Sequence, residues 1–245
     1  MKIWGTTDIG LVRKENQDAY LIRENLPSGH SICVVCDGMG GSAGGQLASK
    51  IATETFAAEL EKVLQPDMEP EQLRAASSYA VALANDAIRS AATEIEDYRN
   101  MGTTLVAAVS YAGGAVITNV GDSRAYHICE SGITRITKDH SLVESMVDRG
   151  DITAEQARRH PNRNLITRAL GPDADAQCDG YICPLEAGEY LLLCTDGLVN
   201  TVTDQEMLFE VIHGDSTDSC LDRLMTIAKN QGAPDNVTVV LMQNL

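Results

Sequence analysis

From Gly102 onward the apolar residues recur at the spacing of strands rather than helices, and the gaps between the runs are very short. The stretch "TTLVAAVSYAGGAVITNVGDSRAYHICESGITRIT" holds about four strand candidates, with turn signals at Gly113-Gly114, Gly121-Asp122 and Ser131-Gly132. A parallel neighbour needs a crossover of a dozen or more residues, so connections this short force antiparallel pairing and a meander.

The flanking segments narrow the architecture further. A short N-terminal strand pair and the run from Ser31 to Cys36 precede two long helical patterns. Leu47, Ile51, Leu60 and Leu64 lie on helical spacing in the first. The second starts at Pro70, a residue suited to the first helical position, and its stripe of Leu73, Ala76, Ala80, Leu83, Ala84, Ala87, Ala91 and Ile95 extends it to about Tyr98. After the meander, "HSLVESMVDRGDITAEQARRHPNRN" predicts two short helices and a polar loop, with Thr153 and Gln156 in capping-box positions. "YICPL" and "EYLLLCTDG" resume the strands. Helical patterns over Asp204 to His213 and Ser219 to Asn230 precede a last strand, "NVTVVLM". This order lacks βαβ alternation and predicts antiparallel sheets packed on each other and covered by helix pairs.

Composition excludes several functions. With 245 residues and 44% hydrophobic content the chain can form one large domain, 1–245. Its formal charge of −16, from 19 Lys+Arg against 35 Asp+Glu, argues against partners held through nucleic-acid phosphates or anionic lipid. No apolar run reaches the roughly 18 residues of a membrane span, and "MKIWGTTDIG" lacks the apolar core of a signal peptide, so the expected location is cytoplasmic. The 7 cysteines form an odd, scattered set expected to stay reduced. Cys33 and Cys36 lie inside an apolar strand, pointing to opposite faces, and read as packing rather than as half of a zinc or redox site. The 5 histidines are also scattered, and no histidine-based metal cage is expected.

The loop in "SICVVCDGMGGSAGGQLAS" carries the chemistry. Gly38-x-Gly40-x-x-Ala43 matches the loose dinucleotide fingerprint, yet Asp37 at its mouth would repel a phosphate unless a cation lay between them. Strand candidates also run into Asp122 ("ITNVGDS") and Asp196 ("LLLCTDG"), while Asp235 ("APDNVTVV") and Asp18 ("ENQDAY") stand just before strands. Strand ends and neighbouring strand starts share an edge of an antiparallel sheet, so the five carboxylates can converge on one rim. Each taken singly reads as a turn residue. Taken together they need counter-ions, and all-oxygen donors suit Mg²⁺ or Mn²⁺ better than zinc. Arg13 in "VRKENQD" is the nearby cation able to grip a phosphoryl group. The dinucleotide reading lacks its βαβ unit.

The motifs "TDIGLVRKENQDAY", "VVCDGMGG", "MGTTLVAA", "NVGDSRAY", "TKDHSLVESMVDRGDIT", "HPNRNLITRALG", "CTDGLVN" and "DNVTVVL" occur in the order and spacing of the PPM family, which this chain resembles over nearly its whole length. These are the type 2C metal-dependent protein serine/threonine phosphatases, here in their short bacterial form. The resemblance implies an α+β fold, a four-layer αββα sandwich with a binuclear Mn²⁺/Mg²⁺ centre at one edge. Carried over position by position, Asp37 would bridge two metals with the Gly38 carbonyl on one of them. Asp196 and Asp235 would ligate the other, and Asp18 would hold a metal-bound water. Asp122, with Asp196, would serve a third, weaker metal, and Arg13 would bind phosphate. The implied substrates are phosphoserine and phosphothreonine in proteins, with a paired Ser/Thr kinase as the natural partner, and about 141–175 would form a variable flap. Two positions depart from the family. Ser42 stands where short bacterial members carry a histidine, a candidate proton donor, and Asn200 stands where some relatives have a further metal-binding aspartate. A catalytically silent, phosphoprotein-binding relative is the competing reading, and the retained Arg13 and aspartates oppose it.

Overall fold

The computed structural model describes residues 1–41, 44–94, 98–214 and 216–245. Ser42 and Ala43, on which the missing-histidine and fingerprint readings fall, lie outside the described residues, as does Ile95 of the second helical stripe.

The chain opens with β1 (Lys2–Asp8), β2 (Asp18–Arg23) and β3 (Ile32–Met39), followed by the long helices α1 (Gly44–Val63) and α2 (Pro70–Glu94). Next come β4 (Gly102–Thr103), β5 (Leu105–Tyr111), β6 (Gly114–Val120), β7 (Arg124–Cys129) and β8 (Gly132–Arg135). The short helices α3 (Leu142–Asp148) and α4 (Ala154–Arg158) come next, then β9 (Asp179–Pro184) and β10 (Tyr190–Cys194). The single-turn α5 (Asp196–Val199), α6 (Asp204–Ile212) and α7 (Cys220–Asn230) lead to β11 (Val237–Gln243). One sheet has the order β1-β11-β10-β7-β8 and the other β2-β3-β5-β6-β9, with β4 paired to β3. Every pairing in both sheets is antiparallel, but the expected single meander is broken. Strand β5 pairs with β6 and β7 with β8, whereas β6 and β7, joined only by residues 121–123, lie in different sheets, so this short connection crosses from one sheet to the other.

Alternation along single strands builds three cores. In β3, Ile32, Val34 and Cys36 face α1 and α2, whereas Cys33 and Val35 face the sheet of β7, β10 and β11. In β10, Tyr190, Leu192 and Cys194 face the layer of α6 and α7, and Leu191 and Leu193 face the sheet of β3, β5 and β6. Both faces of each sheet are therefore covered, which is why these strands read as unbroken apolar runs rather than as alternating ones. Each fully buried Val, Leu or Ile in these runs contributes about 1.5–3 kcal/mol. The result is the expected four-layer αββα sandwich. Helix α1 buries Ala48, Ser49 and Ala52 close to the sheet before Phe56 and Leu60 fill the wider space beyond. Helix α7 buries Cys220, Leu221, Leu224, Met225 and Ala228, one stripe at helical spacing. All seven cysteines are free thiols, and burial pushes the Cys33 and Cys36 thiols up, consistent with inert packing.

Thr153 and Gln156 form the expected capping box at α4, and Thr203 with Glu206 forms a second one at α6. Helix α6 ends one residue before its predicted bound and α7 starts one residue after its own, the usual uncertainty of frayed ends. Among the described residues, β4, too short for a period, and α5, a single turn, have no sequence counterpart, nor does the short 3-10 turn Thr217–Ser219. No described helix is long and apolar enough to cross a membrane.

Candidate metal centre

The five aspartates lie at one end of both sheets. Asp18 begins β2 and stands directly opposite Asp37 in β3. Asp122 follows β6, Asp196 follows β10 as the first residue of α5, and Asp235 precedes β11. Asp18 is buried, and the other four remain partly open to solvent, so the rim can admit a ligand.

Asp18 also joins the two sheets. Its Oδ2 accepts hydrogen bonds from Thr195 Oγ1 at 2.9 Å and Thr238 Oγ1 at 2.7 Å, both at the edge of the opposite sheet. Asp37 is fixed through its backbone. Its N–H donates to Thr104 Oγ1 at 2.9 Å, and its carbonyl accepts from Thr104 N and Thr103 Oγ1, each at 2.9 Å. The glycines beyond Asp37 answer to different needs. A Cβ on Gly38 would run into the carbonyl oxygens of Gly45 and Gln17, so β3 and the start of α1 approach more closely than any side chain allows. Gly40, at φ +115°, takes a turn that L side chains rarely adopt.

Asp122 is positioned through Gly121, which donates its N–H to His140 Nδ1 at 3.0 Å and accepts from His140 N–H at 2.9 Å. Asp196 Oδ2 accepts from Asn200 Nδ2 at 3.2 Å, so the residue that departs from the family pattern orients this carboxylate. Arg13 Nη2 lies 2.6 Å from Asp235 Oδ2, half-exposed at the mouth of the rim. Its loop is tied down by Asn236, whose side chain donates to the Ile9 and Glu15 carbonyls and accepts from Gln17 N–H.

Electrostatically the rim is overloaded with negative charge. Burial, followed by repulsion from neighbouring carboxylates, raises the Asp37 carboxyl well above the usual range, and it raises Asp196 as well. Burial pushes Asp18 to about 7 against the hydrogen bonds of its two threonines, and pushes Asp122 to about 7 with help from Asp196. Two oxygens aimed into the rim, Asp18 Oδ1 and Asp196 Oδ1, are buried without a hydrogen-bond partner. Unpaired buried carboxylate oxygens are costly unless a cation satisfies them, and an all-oxygen donor set fits Mg²⁺ or Mn²⁺. The oxygens are spread more widely than a single-ion cage: among the described residues, the one set of three metal-ligating side chains with all donor atoms within 4.8 Å lies elsewhere, at His127, Cys129 and Glu189.

The structure thus brings together all six charged side chains singled out from sequence, with Gly38 among them. Sequence reading missed the supporting residues Thr104, His140, Thr195, Asn236 and Thr238. Of these, Asn236 had a signal, since it directly follows Asp235 in "DNVTVV".

Residues 12–241 match the family model described as Protein phosphatase 2C. A serine/threonine phosphatase of Listeria welshimeri is 35% identical over 237 residues, covering 97% of this chain and 93% of that protein. The serine/threonine protein phosphatase PstP of Mycobacterium tuberculosis is 36% identical over 237 residues, covering 96% of this chain and 43% of that protein. Among solved structures, a serine/threonine phosphatase from Staphylococcus aureus superposes with a TM-score of 0.90 at 36% identity, covering 100% of this chain and 95% of that one. On its fold, its rim of aspartates and these matches, the chain belongs to the protein phosphatase 2C family.

Proposed function

We propose that this chain is a metal-dependent protein phosphatase that hydrolyses phosphoserine and phosphothreonine in proteins, in the cytoplasm, reversing the action of a Ser/Thr kinase. The observation that carries this reading is the rim itself: five aspartates with two buried, unpartnered oxygens, in a chain similar to serine/threonine phosphatases over most of its length. Residues 1–245 then act as one catalytic domain, and about 141–175 as its flap.

In this reading Asp37, the Gly38 carbonyl, Asp196 and Asp235 would together hold two Mn²⁺ or Mg²⁺ ions. Asp122 and Asp196 offer a weaker third position. Bound there, such ions would supply an acidified water and positive charge for the phosphoryl group. Asp18, held by Thr195 and Thr238, orients water at the floor of the rim. Arg13 exchanges part of its contact with Asp235 for the phosphoryl oxygens and holds them for in-line attack. The flap is fastened beside Asp37, because Leu170 and Thr103 exchange backbone hydrogen bonds at 2.9 and 3.0 Å. Its Arg158, Arg159, Arg163 and Arg168 form a basic stretch in an acidic protein, suited to acidic phosphopeptides.

The test is phosphate release from a phosphothreonine peptide. Activity is expected with added Mn²⁺ or Mg²⁺, little with Zn²⁺, and none with chelator. Full turnover in a metal-stripped, chelator-treated sample would overturn the two-metal reading, and tight phosphopeptide binding without turnover at any metal concentration would favour the silent relative.

A further inference from the structure

His127 and Cys129 lie two residues apart on β7, so their side chains share a face. Tyr190 of β10 pairs with Ile128, and the same register continued by one residue sets Glu189 opposite Cys129. The nitrogen, sulfur and oxygen donors of the three residues all lie within 4.8 Å of one another. At the other end of the same strand pair, Arg124 faces Cys194, two residues before Asp196. Five residue steps along β7, roughly 17 Å at the rise of a strand, therefore separate this cluster from the carboxylate rim. No sequence spacing announces it. Glu189 is 60 positions beyond Cys129 and reaches it only through sheet pairing.

The cluster is built before any ion arrives. Glu189 Oε2 lies 2.8 Å from His127 Nε2 and also accepts the Glu186 N–H at 2.9 Å, so the carboxylate is aimed by the backbone turn that carries it. Cys129 Sγ lies 3.0 Å from Ser131 Oγ, which orients the thiol within its hairpin. All three residues are partly buried rather than fully solvated. A solvent-screened His–Glu ion pair stabilises little and would not need a thiol at its third corner. A mixed nitrogen, sulfur and oxygen donor set suits zinc, with water in the fourth position, and does not suit Mg²⁺ or Mn²⁺, which prefer oxygen throughout. The Glu186 N–H on Glu189 and the Ser131 hydroxyl on Cys129 supply the outer contacts that such ligands ordinarily need.

We propose that His127, Cys129 and Glu189 form a zinc site, independent of the carboxylate rim, that pins the turn before β10 to the β7–β8 hairpin. Binding deprotonates the Cys129 thiol and adds a shared ligand to two chain segments already joined by backbone pairing and by the His127–Glu189 contact.

The full-length enzyme, kept in excess Mg²⁺ to fill the rim, is titrated with Co²⁺ as a spectroscopic stand-in for zinc. A thiolate-to-cobalt charge-transfer band in the near ultraviolet should saturate at a single equivalent, and Zn²⁺ should displace it. Cys129→Ser should abolish the band, Glu189→Gln should weaken Co²⁺ binding at least about tenfold, and Asp37→Asn should leave the band intact. Zn²⁺ should raise the melting temperature of the wild-type protein and not that of the Cys129→Ser variant, which also shows that the variant is folded. Absence of the band in the wild type, or its survival in Cys129→Ser, overturns the proposal. Neither readout depends on phosphatase turnover, so the two readings fail separately.

Discussion

Asp37 is the residue at which the charges meet, since Asp18, Asp196, Asp122 and Asp235 all raise its carboxyl after burial has done so. Replacing one such anion by an isosteric amide keeps the packing and removes a ligand. Asp37→Asn and Asp196→Asn are each expected to lower turnover by roughly two or more orders of magnitude while the fold persists. A folded Asp37→Asn enzyme with near wild-type turnover on a phosphopeptide would remove it from the centre. Arg13 has a different expectation, because its guanidinium touches Asp235 and sits near no other described carboxylate oxygen at bonding distance. Arg13→Ala should weaken phosphopeptide binding by about 1.5–3 kcal/mol, the loss of a charge-assisted pair, while the Mn²⁺ requirement changes less. Comparing the KM for peptide with the Mn²⁺ concentration at half activity separates these effects, and a collapse of metal affinity alone would reassign Arg13. The aspartates were legible in the sequence because each interrupts or precedes an apolar run. Thr195 and Thr238 were not, since their partner Asp18 lies 177 and 220 positions away and a threonine in a strand has an ordinary packing role.

The elements that aim these side chains were legible to different degrees, for physical reasons. Strands buried on both faces leave strong apolar runs, and short connections announced the β5–β6 and β7–β8 hairpins but not the step from β6 to β7, which crosses between sheets. Helix α5 left no such trace. It follows Thr195 at once, carries Asp196 in its first turn, and is too short for a period of its own. The glycines after Asp37 read in the sequence as a tight turn serving the site, and the close approach of α1 to β3 at Gly38 was not legible there. Gly38→Ala tests it at this scale. The added methyl meets the Gly45 carbonyl, so β3 and α1 must separate and carry Asp37 with them. The expected outcome is a loss of about 1–3 kcal/mol of unfolding stability together with impaired turnover, measured by denaturant melts and phosphopeptide assay. Unchanged stability and turnover would show that the approach of α1 to β3 tolerates a side chain and does not position Asp37.

Across the whole molecule, the two sheets and their helix pairs converge on a rim that is costly to keep charged without cations. That cost makes stability depend on pH with a definite sign. Folding moves Asp18 and Asp122 from an ordinary 3.8 to about 7, so between these values the folded chain retains protons that the unfolded chain has released. Stability linked to these groups is complete below about pH 4 and is lost as pH rises through about 7. Asp8 and Asp179 are shifted downward, by Lys229 and by His140 with Arg168, and therefore withdraw stability only on the acid side. In chelator, the melting temperature should thus decline from about pH 5 to pH 8. Mn²⁺ should reverse the decline, because it binds the ionised rim of the folded state, and its stabilising effect should grow with both pH and concentration. Asp18→Asn removes one of the burdened carboxylates while its side-chain oxygen can still accept from Thr195 and Thr238. It should flatten the pH dependence of the metal-free protein and raise its melting temperature at pH 8. A melting temperature that rises steadily from pH 5 to pH 8 in chelator, or an Asp18→Asn variant less stable than wild type throughout that range, would show that the rim is not the charged strain point of the metal-free fold.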